Sequence, residues 1–365
     1  MEGDLGAVQG ASPKAYREYG SPMSLPPADP RLTLLVEWLA KALHSHEFAL
    51  APASEDASFR RYFRVTLPAP HALAPADATL IAMDAPPPQE NCRAFVHVAA
   101  LMRDAGLHAP RVLAQDIERG FLLLTDLGAT TYLRALDADN ANDLFRDAVD
   151  ALLRWQLATR PDVLPPYDKG LLLRELELFP EWYIGRHLGQ VLTAEERADL
   201  SRVFELVVAA NTEQPSVYVH RDYMPRNLMV SAPNPGVLDF QDAVYGPITY
   251  DITSLFRDAF VSWPEERILD WTIRYWEKAK RAGLPVTADF AEFHRDGEWM
   301  GLQRHLKVLG IFARIRHRDG KAGYVEDTPR FLDYVRPVAE RYRELAPLAR
   351  LLDRLPRHAP AAGSI

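Results

Sequence analysis

The sequence predicts an α+β fold in two lobes, a small β-rich N-terminal lobe followed by a larger helical C-terminal lobe. Three observations carry this. Strand-length runs of apolar, aromatic or β-branched residues gather before residue 126: Ser58 to Val65 (SFRRYFRV), Thr79 to Met83 (TLIAM) and Phe121 to Thr125 (FLLLT). Asp126-Leu127-Gly128 then breaks the regularity. From Leu144 onward apolar residues recur at helical spacing, interrupted by one island of short β segments. A chain of 365 residues is long enough for two cores. The expected division is 29–126 for the first lobe and 127–352 for the second, with a flexible Gly/Pro/Ser-rich leader over 1–28 and a tail over 353–365.

Each element follows from local pattern. Arg31 to Leu43 (RLTLLVEWLAKAL) reads as an amphipathic helix, and Ser58 to Val65 as a strand or hairpin. Thr79 to Met83 is a short buried strand that stops at Asp84-Ala85-Pro86-Pro87-Pro88, where three prolines forbid regular pairing. Phe95, Val98, Ala99, Met102 and Leu107 give Cys92 to Leu107 helical spacing. Further on, Leu144, Ala148 and Leu152 share a helix face, and Thr193 with Glu196 is a capping-box signal for a helix running to Ala210. The β island comprises 217–219, 228–230 and 237–240, with a turn over 231–236. From Asp251 to about Leu352 the chain is mostly helical, and no internal repeat is present.

Composition narrows the function classes. Hydrophobic residues make up 48% and charged residues 25%, as in an ordinary globular protein. The formal net charge is -8 without a long basic run, so nucleic acid is not an expected partner. The single cysteine, Cys92, allows no internal disulfide, which fits a cytoplasmic location. No apolar run approaches the ~20 residues that span a bilayer, and the N-terminus lacks the basic-then-apolar pattern of a signal peptide. A monomer without membrane contact is the expectation.

The chemistry-bearing segment is Val219-His220-Arg221-Asp222-Tyr223-Met224-Pro225-Arg226-Asn227-Leu228. A His, an Asp two residues on and an Asn five residues after that Asp match the kinase catalytic loop. Asp239, in Val237-Leu238-Asp239-Phe240, follows Asn227 by twelve residues, at the metal-binding Asp-Phe-Gly position, with Gln241 in place of the glycine. Phosphoryl transfer needs in-line positioning and neutralisation of spreading negative charge more than covalent help. Asp222 would accept a hydrogen bond from the acceptor hydroxyl. Asn227 and Asp239 would offer oxygen to Mg²⁺, a hard cation that prefers it. The expected catalytic set is Asp222, with His220 supporting the loop and Arg226 within it; the expected metal ligands are Asn227 and Asp239. Singly, such residues cap helices, make turns or sit as buried histidines. Four in register, in a strand-loop-strand context, favour the kinase reading.

On these residues the chain resembles the aminoglycoside/choline phosphotransferase superfamily over about residues 30 to 345, which implies a bilobal protein-kinase-like fold. Within it, Ser58 to Val65, Met83 to Pro87 (MDAPP), Arg174 to Gly185 (RELELFPEWYIG), His220 to Val230, Asp239 to Asp251 (DFQDAVYGPITYD) and Gly301 to Gly310 (GLQRHLKVLG) look closer to bacterial anomeric kinases for N-acetylmuramate and N-acetylglucosamine. That likeness implies ATP and Mg²⁺ as cofactors, phosphorylation of the sugar C1 hydroxyl, and products that feed UDP-sugar synthesis for peptidoglycan.

The sequence also departs from the kinase pattern. The third strand, Leu80-Ile81-Ala82-Met83-Asp84, has no lysine, and Ser58-Phe59-Arg60-Arg61-Tyr62 stands where a glycine-rich loop is expected. Arg61, with Arg60 and Arg64 beside it, is the expected source of positive charge for the nucleotide phosphates; the alternative is a solvated strand face. Thr125, Asp126 and Leu127 are the expected hinge, binding adenine through backbone groups. Glu175, Glu177, Phe179 and Trp182 are expected to meet the sugar, since carboxylates accept hydroxyl hydrogen bonds and aromatic faces pack on a sugar ring; the same run also fits a helix core. Arg304 is a further candidate from a late helix, and Arg226 suits the lactyl carboxylate of N-acetylmuramate. Two rivals stay open: an aminoglycoside- or choline-type kinase, and a pseudokinase that binds nucleotide without turnover.

Overall fold

The computed structural model describes residues 29–54, 59–69, 71–73 and 79–356. The expected leader, Ser58 and the part of the tail from residue 357 lie outside them.

Asp29 starts the first helix, α1 (Pro30–Ala42), by accepting hydrogen bonds from the backbone N–H groups of Arg31 and Leu32 at 3.0 and 3.1 Å, with Pro30 in the first turn. Strands β1 (Ala49–Ser54), β2 (Arg61–Thr66) and β3 (Thr79–Asp84), helix α2 (Cys92–Asp104), and strands β4 (Val112–Asp116) and β5 (Phe121–Thr125) complete the first lobe. The strands form one antiparallel sheet in the order β1-β2-β3-β5-β4. Strand β5 is apolar throughout because both its faces are covered. Phe121 and Leu123 pack with Leu35 and Leu39 of α1, whereas Leu122 and Leu124 join Phe95, Val98 and Met102 of α2. The second of these layers is continuous with the core of the other lobe.

The second lobe begins with α3 (Tyr132–Ala135), α4 (Ala141–Leu157) and α5 (Lys169–Leu176), followed by a π-helix over Phe179–His187. Helix α6 (Ala194–Glu213) has the capping box read from sequence, with Thr193 and Glu196 bonded reciprocally. The β island is four short strands, β6 (Ser216–Val219), β7 (Leu228–Met229), β8 (Gly236–Val237) and β9 (Val244–Pro247). Strand β6 pairs with β9, and the β7–β8 hairpin lies between them in sequence. Strand β9 was not expected. Its sequence, VYGP, has no strand pattern of its own and is held by its partner. Helices α7 (Tyr250–Phe256), α8 (Glu265–Arg281), α9 (Phe290–Asp319), α10 (Thr328–Arg341) and α11 (Ala346–Arg354) close the fold. No helix among the described residues is long and apolar enough to cross a membrane.

Helix α9 runs under the site and touches the π-helix at Gly310. A Cβ built there would stand 2.4 Å from the carbonyl carbon of Leu178 and 2.5 Å from its Cβ. Backbone cannot yield as a flexible side chain can. Gly310→Ala is therefore expected to lower stability by about 1–3 kcal/mol, the usual range for overpacking, measured by urea unfolding.

Candidate active site

Strand β6 ends at Val219, just before His220, and the chain reverses at Arg221, a non-glycine residue at φ 76°. That left-handed turn is held from below. Asp251, in the first turn of α7, accepts the backbone N–H of His220 at 2.7 Å and that of Arg221 at 3.0 Å. Asp251 is fully buried, and burial pushes its carboxyl up to about 7 even though both N–H groups favour the charged form. The His220 ring is also fully buried, which pushes it down to about 4, so it is neutral near pH 7. Its Nδ1 accepts the backbone N–H of Asp222 at 3.2 Å. The buried ring thus meets the backbone of the loop that follows it.

The Arg221 guanidinium turns inward to Glu175, whose carboxylate also accepts from the Tyr167 hydroxyl, from Gln303 Nε2 at 3.1 Å and from Lys307 Nζ at 3.0 Å. Lys307 Nζ also donates to the Tyr250 hydroxyl at 3.2 Å. Two cations thus converge on one carboxylate under the loop, and they hold Glu175 below the usual carboxylate range despite its burial.

Above this layer, three side chains meet. Asn227 ends the 3₁₀ turn Pro225–Asn227, and its Nδ2 donates to the Asp222 carbonyl at 2.9 Å and to Asp239 Oδ2 at 3.1 Å. Asp239 follows β8 with its backbone at φ 62°, which turns it back toward Asn227. Gln241 Nε2 donates to Asp239 Oδ1 at 2.9 Å. The Asp222 carboxylate makes no hydrogen bond among the described residues. The Asn227 amide oxygen and the Asp239 carboxylate are hard oxygen donors of the kind Mg²⁺ takes, and the Nδ2–H donation between the two side chains keeps them side by side. The described residues contain no group of three or more His, Cys, Asp or Glu placed to hold a metal ion. Two protein donors are what a Mg²⁺ that is also held by substrate phosphates requires. Asn227 and Asp239 carry the oxygen atoms that would hold such a cation.

Other expected residues lie differently. Arg60 pairs with Glu90 at 2.8 Å and Arg64 with Asp126 at 2.6 Å, while Arg61 bridges Asp29 and Asp84. Carboxylates of the first lobe thus pair with all three guanidinium groups. The expected sugar cluster is dispersed. Glu175 is buried with its acceptors taken, Phe179 is fully buried in the core, and Trp182 packs half-buried against it. Glu177 is on the surface, paired with Arg197 at 2.5 Å. Arg304 is buried, with Nη1 directed at the Arg257 carbonyl. The helix-core alternative describes this run. Arg226 lies over the Phe260 ring at 5.0 Å. At the hinge, Thr125 is paired through its backbone N–H and hydroxyl to Arg111, whereas the backbone groups of Asp126 and Leu127 take no partner among the described residues.

Comparison with known proteins decides the family. The model of the phosphotransferase enzyme family matches residues 49–290. An N-acetylmuramate/N-acetylglucosamine kinase of Pseudomonas putida is 53% identical over 347 residues, covering 92% of this chain and all of that one. The chain belongs to the phosphotransferase enzyme family. Among solved structures, a Plasmodium vivax ethanolamine kinase superposes with a TM-score of 0.57 at 9% identity, covering 87% of this chain and 89% of that one. An ADP-bound aminoglycoside phosphotransferase superposes with a TM-score of 0.51 at 15% identity, covering 82% and 97%. The α+β, kinase-like fold and the resemblance read from sequence are borne out. In this phosphotransferase the sequence reading missed the inward role of Arg221, the partners Tyr167 and Tyr250, and the clamp made by Gln241. Only the last left a signal, as the residue standing in for a glycine.

Two outcomes follow from this geometry. Glu175→Gln leaves two buried cations without their counter-charge and is expected to cost about 3 kcal/mol of stability, read by urea unfolding. Between pH 6.5 and 4 the unfolded chain takes up a proton at His220 that the folded chain resists, so stability rises with pH across that window. His220→Gln should remove about 3 kcal/mol of that rise relative to wild type, measured by unfolding at a series of pH values. Asp251, with its raised value, contributes the opposite slope in both proteins.

Proposed function

We propose that this phosphotransferase is an ATP-dependent sugar kinase that phosphorylates the C1 hydroxyl of N-acetylmuramate or N-acetylglucosamine, acting as a cytoplasmic monomer. The observation that carries the reading is the convergence of Asp222, Asn227 and Asp239 on one loop floor, in a chain 53% identical to a kinase named for those two sugars. Asp222, whose carboxylate makes no hydrogen bond among the described residues, orients the acceptor hydroxyl and takes its proton. Asn227 and Asp239 hold Mg²⁺, which when bound neutralises charge on the transferring phosphoryl group. The unpartnered backbone groups of Asp126 and Leu127 receive the adenine edge. Arg226, stacked on Phe260, supplies the cation for the lactyl carboxylate of N-acetylmuramate.

The product of a reaction with ATP and N-acetylmuramate, read by phosphorus NMR, is expected to be the sugar 1-phosphate, with no turnover in excess EDTA. Asp222→Asn is expected to lower kcat by about 10³-fold, within the usual range for a lost general base. Turnover confined to aminoglycosides or choline would refute the sugar assignment. Undiminished turnover in the Asp222 variant would refute the site.

A further inference from the structure

We propose that Gln241 is the positioning residue of the cation site, gripping Asp239 and Asp242 with the two hydrogens of one amide and so setting how tightly the divalent cation is held. The inference rests on the reading of Asp239 as a cation ligand and goes beyond it.

Gln241 is buried, and its Nε2 donates to Asp239 Oδ1 at 2.9 Å and to Asp242 Oδ2 at 3.4 Å. Its other polar atom, Oε1, is buried with no hydrogen-bond partner among the described residues. A methionine or leucine would fill the same space without an unmet acceptor. The favourable function of the amide in this structure is therefore its pair of N–H donors. Asp239 needs such a hold. Its backbone is in the left-handed region, so the short strand before it does not fix where its carboxylate points. Asn227 Nδ2 meets Oδ2 at 3.1 Å and Gln241 Nε2 meets Oδ1 at 2.9 Å, so an amide on each side sets the carboxylate plane. The glycine of the common motif has no side chain for this purpose. The same grip draws the exposed Asp242 toward the site and offsets repulsion between two neighbouring carboxylates.

The test is ADP binding by calorimetry, with free Mg²⁺ titrated, on the full chain and on Gln241→Met and Gln241→Gly. Both variants are expected to need at least fivefold more Mg²⁺ for half-maximal ADP binding. Binding of ADP without metal and the melting temperature should stay close to wild type, and kcat should fall with little change in the sugar KM. Half-saturating Mg²⁺ within twofold of wild type in both variants would overturn the inference. So would an equal loss of metal-free ADP binding, which marks a general structural role. A wild-type chain whose ADP binding ignores Mg²⁺ would overturn the cation-site reading itself, and this inference with it, so one titration tells the two failures apart.

Discussion

The site depends on a left-handed turn at a residue that is not glycine. Arg221 at φ 76° is an unfavourable conformation for a long side chain, of order 1 kcal/mol or more, and the structure holds it from two directions. Asp251 takes the backbone N–H groups of His220 and Arg221, while Glu175 takes the Arg221 side chain. Both carboxylates are buried, and both come from helices distant in sequence. Because the turn is fixed, Asp222 emerges above it with a carboxylate that makes no hydrogen bond among the described residues, and the 3₁₀ turn places Asn227 against the Asp222 carbonyl. Loss of either anchor would release the whole row above it.

The same logic extends across the lobes. The β7–β8 hairpin carries Asp239, and its backbone is tied to the first lobe: the Val237 N–H donates to the His108 carbonyl at 2.8 Å. The His108 ring reaches Ser231 Oγ at 3.0 Å and the Pro233 carbonyl at 2.7 Å. On the other side, the Val230 N–H donates to Thr130 just past the hinge. The strand that presents the proposed cation ligand is thus bonded both to the sheet-bearing lobe and to the segment that joins the lobes. Any movement of the first lobe on nucleotide binding acts directly on this hairpin.

The legible parts of the sequence were those where chemistry or period is local. The apolar run of β5, the capping box at Thr193 and the spacing of His220, Asp222, Asn227 and Asp239 all act within a few residues of where they are written. In the structure Asn227 Nδ2 reaches both the Asp222 carbonyl and Asp239 Oδ2. The acidic-aromatic run from Glu175 to Trp182 was misread because composition does not tell which helix face is buried. Helix α9 covers it, and the closeness of that contact is set by Gly310, more than a hundred residues away. The arginines of β2 were ambiguous for the same reason. Their partners, Asp29, Asp84, Glu90 and Asp126, are spread over nearly a hundred residues; the sheet register brings Asp84 opposite Arg61, and the segments flanking the strands and helices supply the rest.

Those pairings also account for a kinase-like first lobe without the usual lysine. In protein kinases a lysine on the third strand and a glutamate on the following helix tie sheet to helix while the lysine reaches phosphate. Here the polarity is reversed. Asp84, fully buried at the end of β3, carries the negative charge, and Arg31 of α1 and Arg61 of β2 carry the positive. Removing Asp84 would leave Arg31 without its carboxylate and Arg61 with Asp29 alone, so the arrangement ties α1, β2 and β3 together. Among the described residues, that tie engages the charges nearest the strand end. In the proposed mechanism, neutralisation of phosphate charge therefore falls to the other side of the cleft, to a cation held by Asn227 and Asp239. Hence the orientation of a single carboxylate, between two amides, matters more here than in a kinase that divides the task with a lysine.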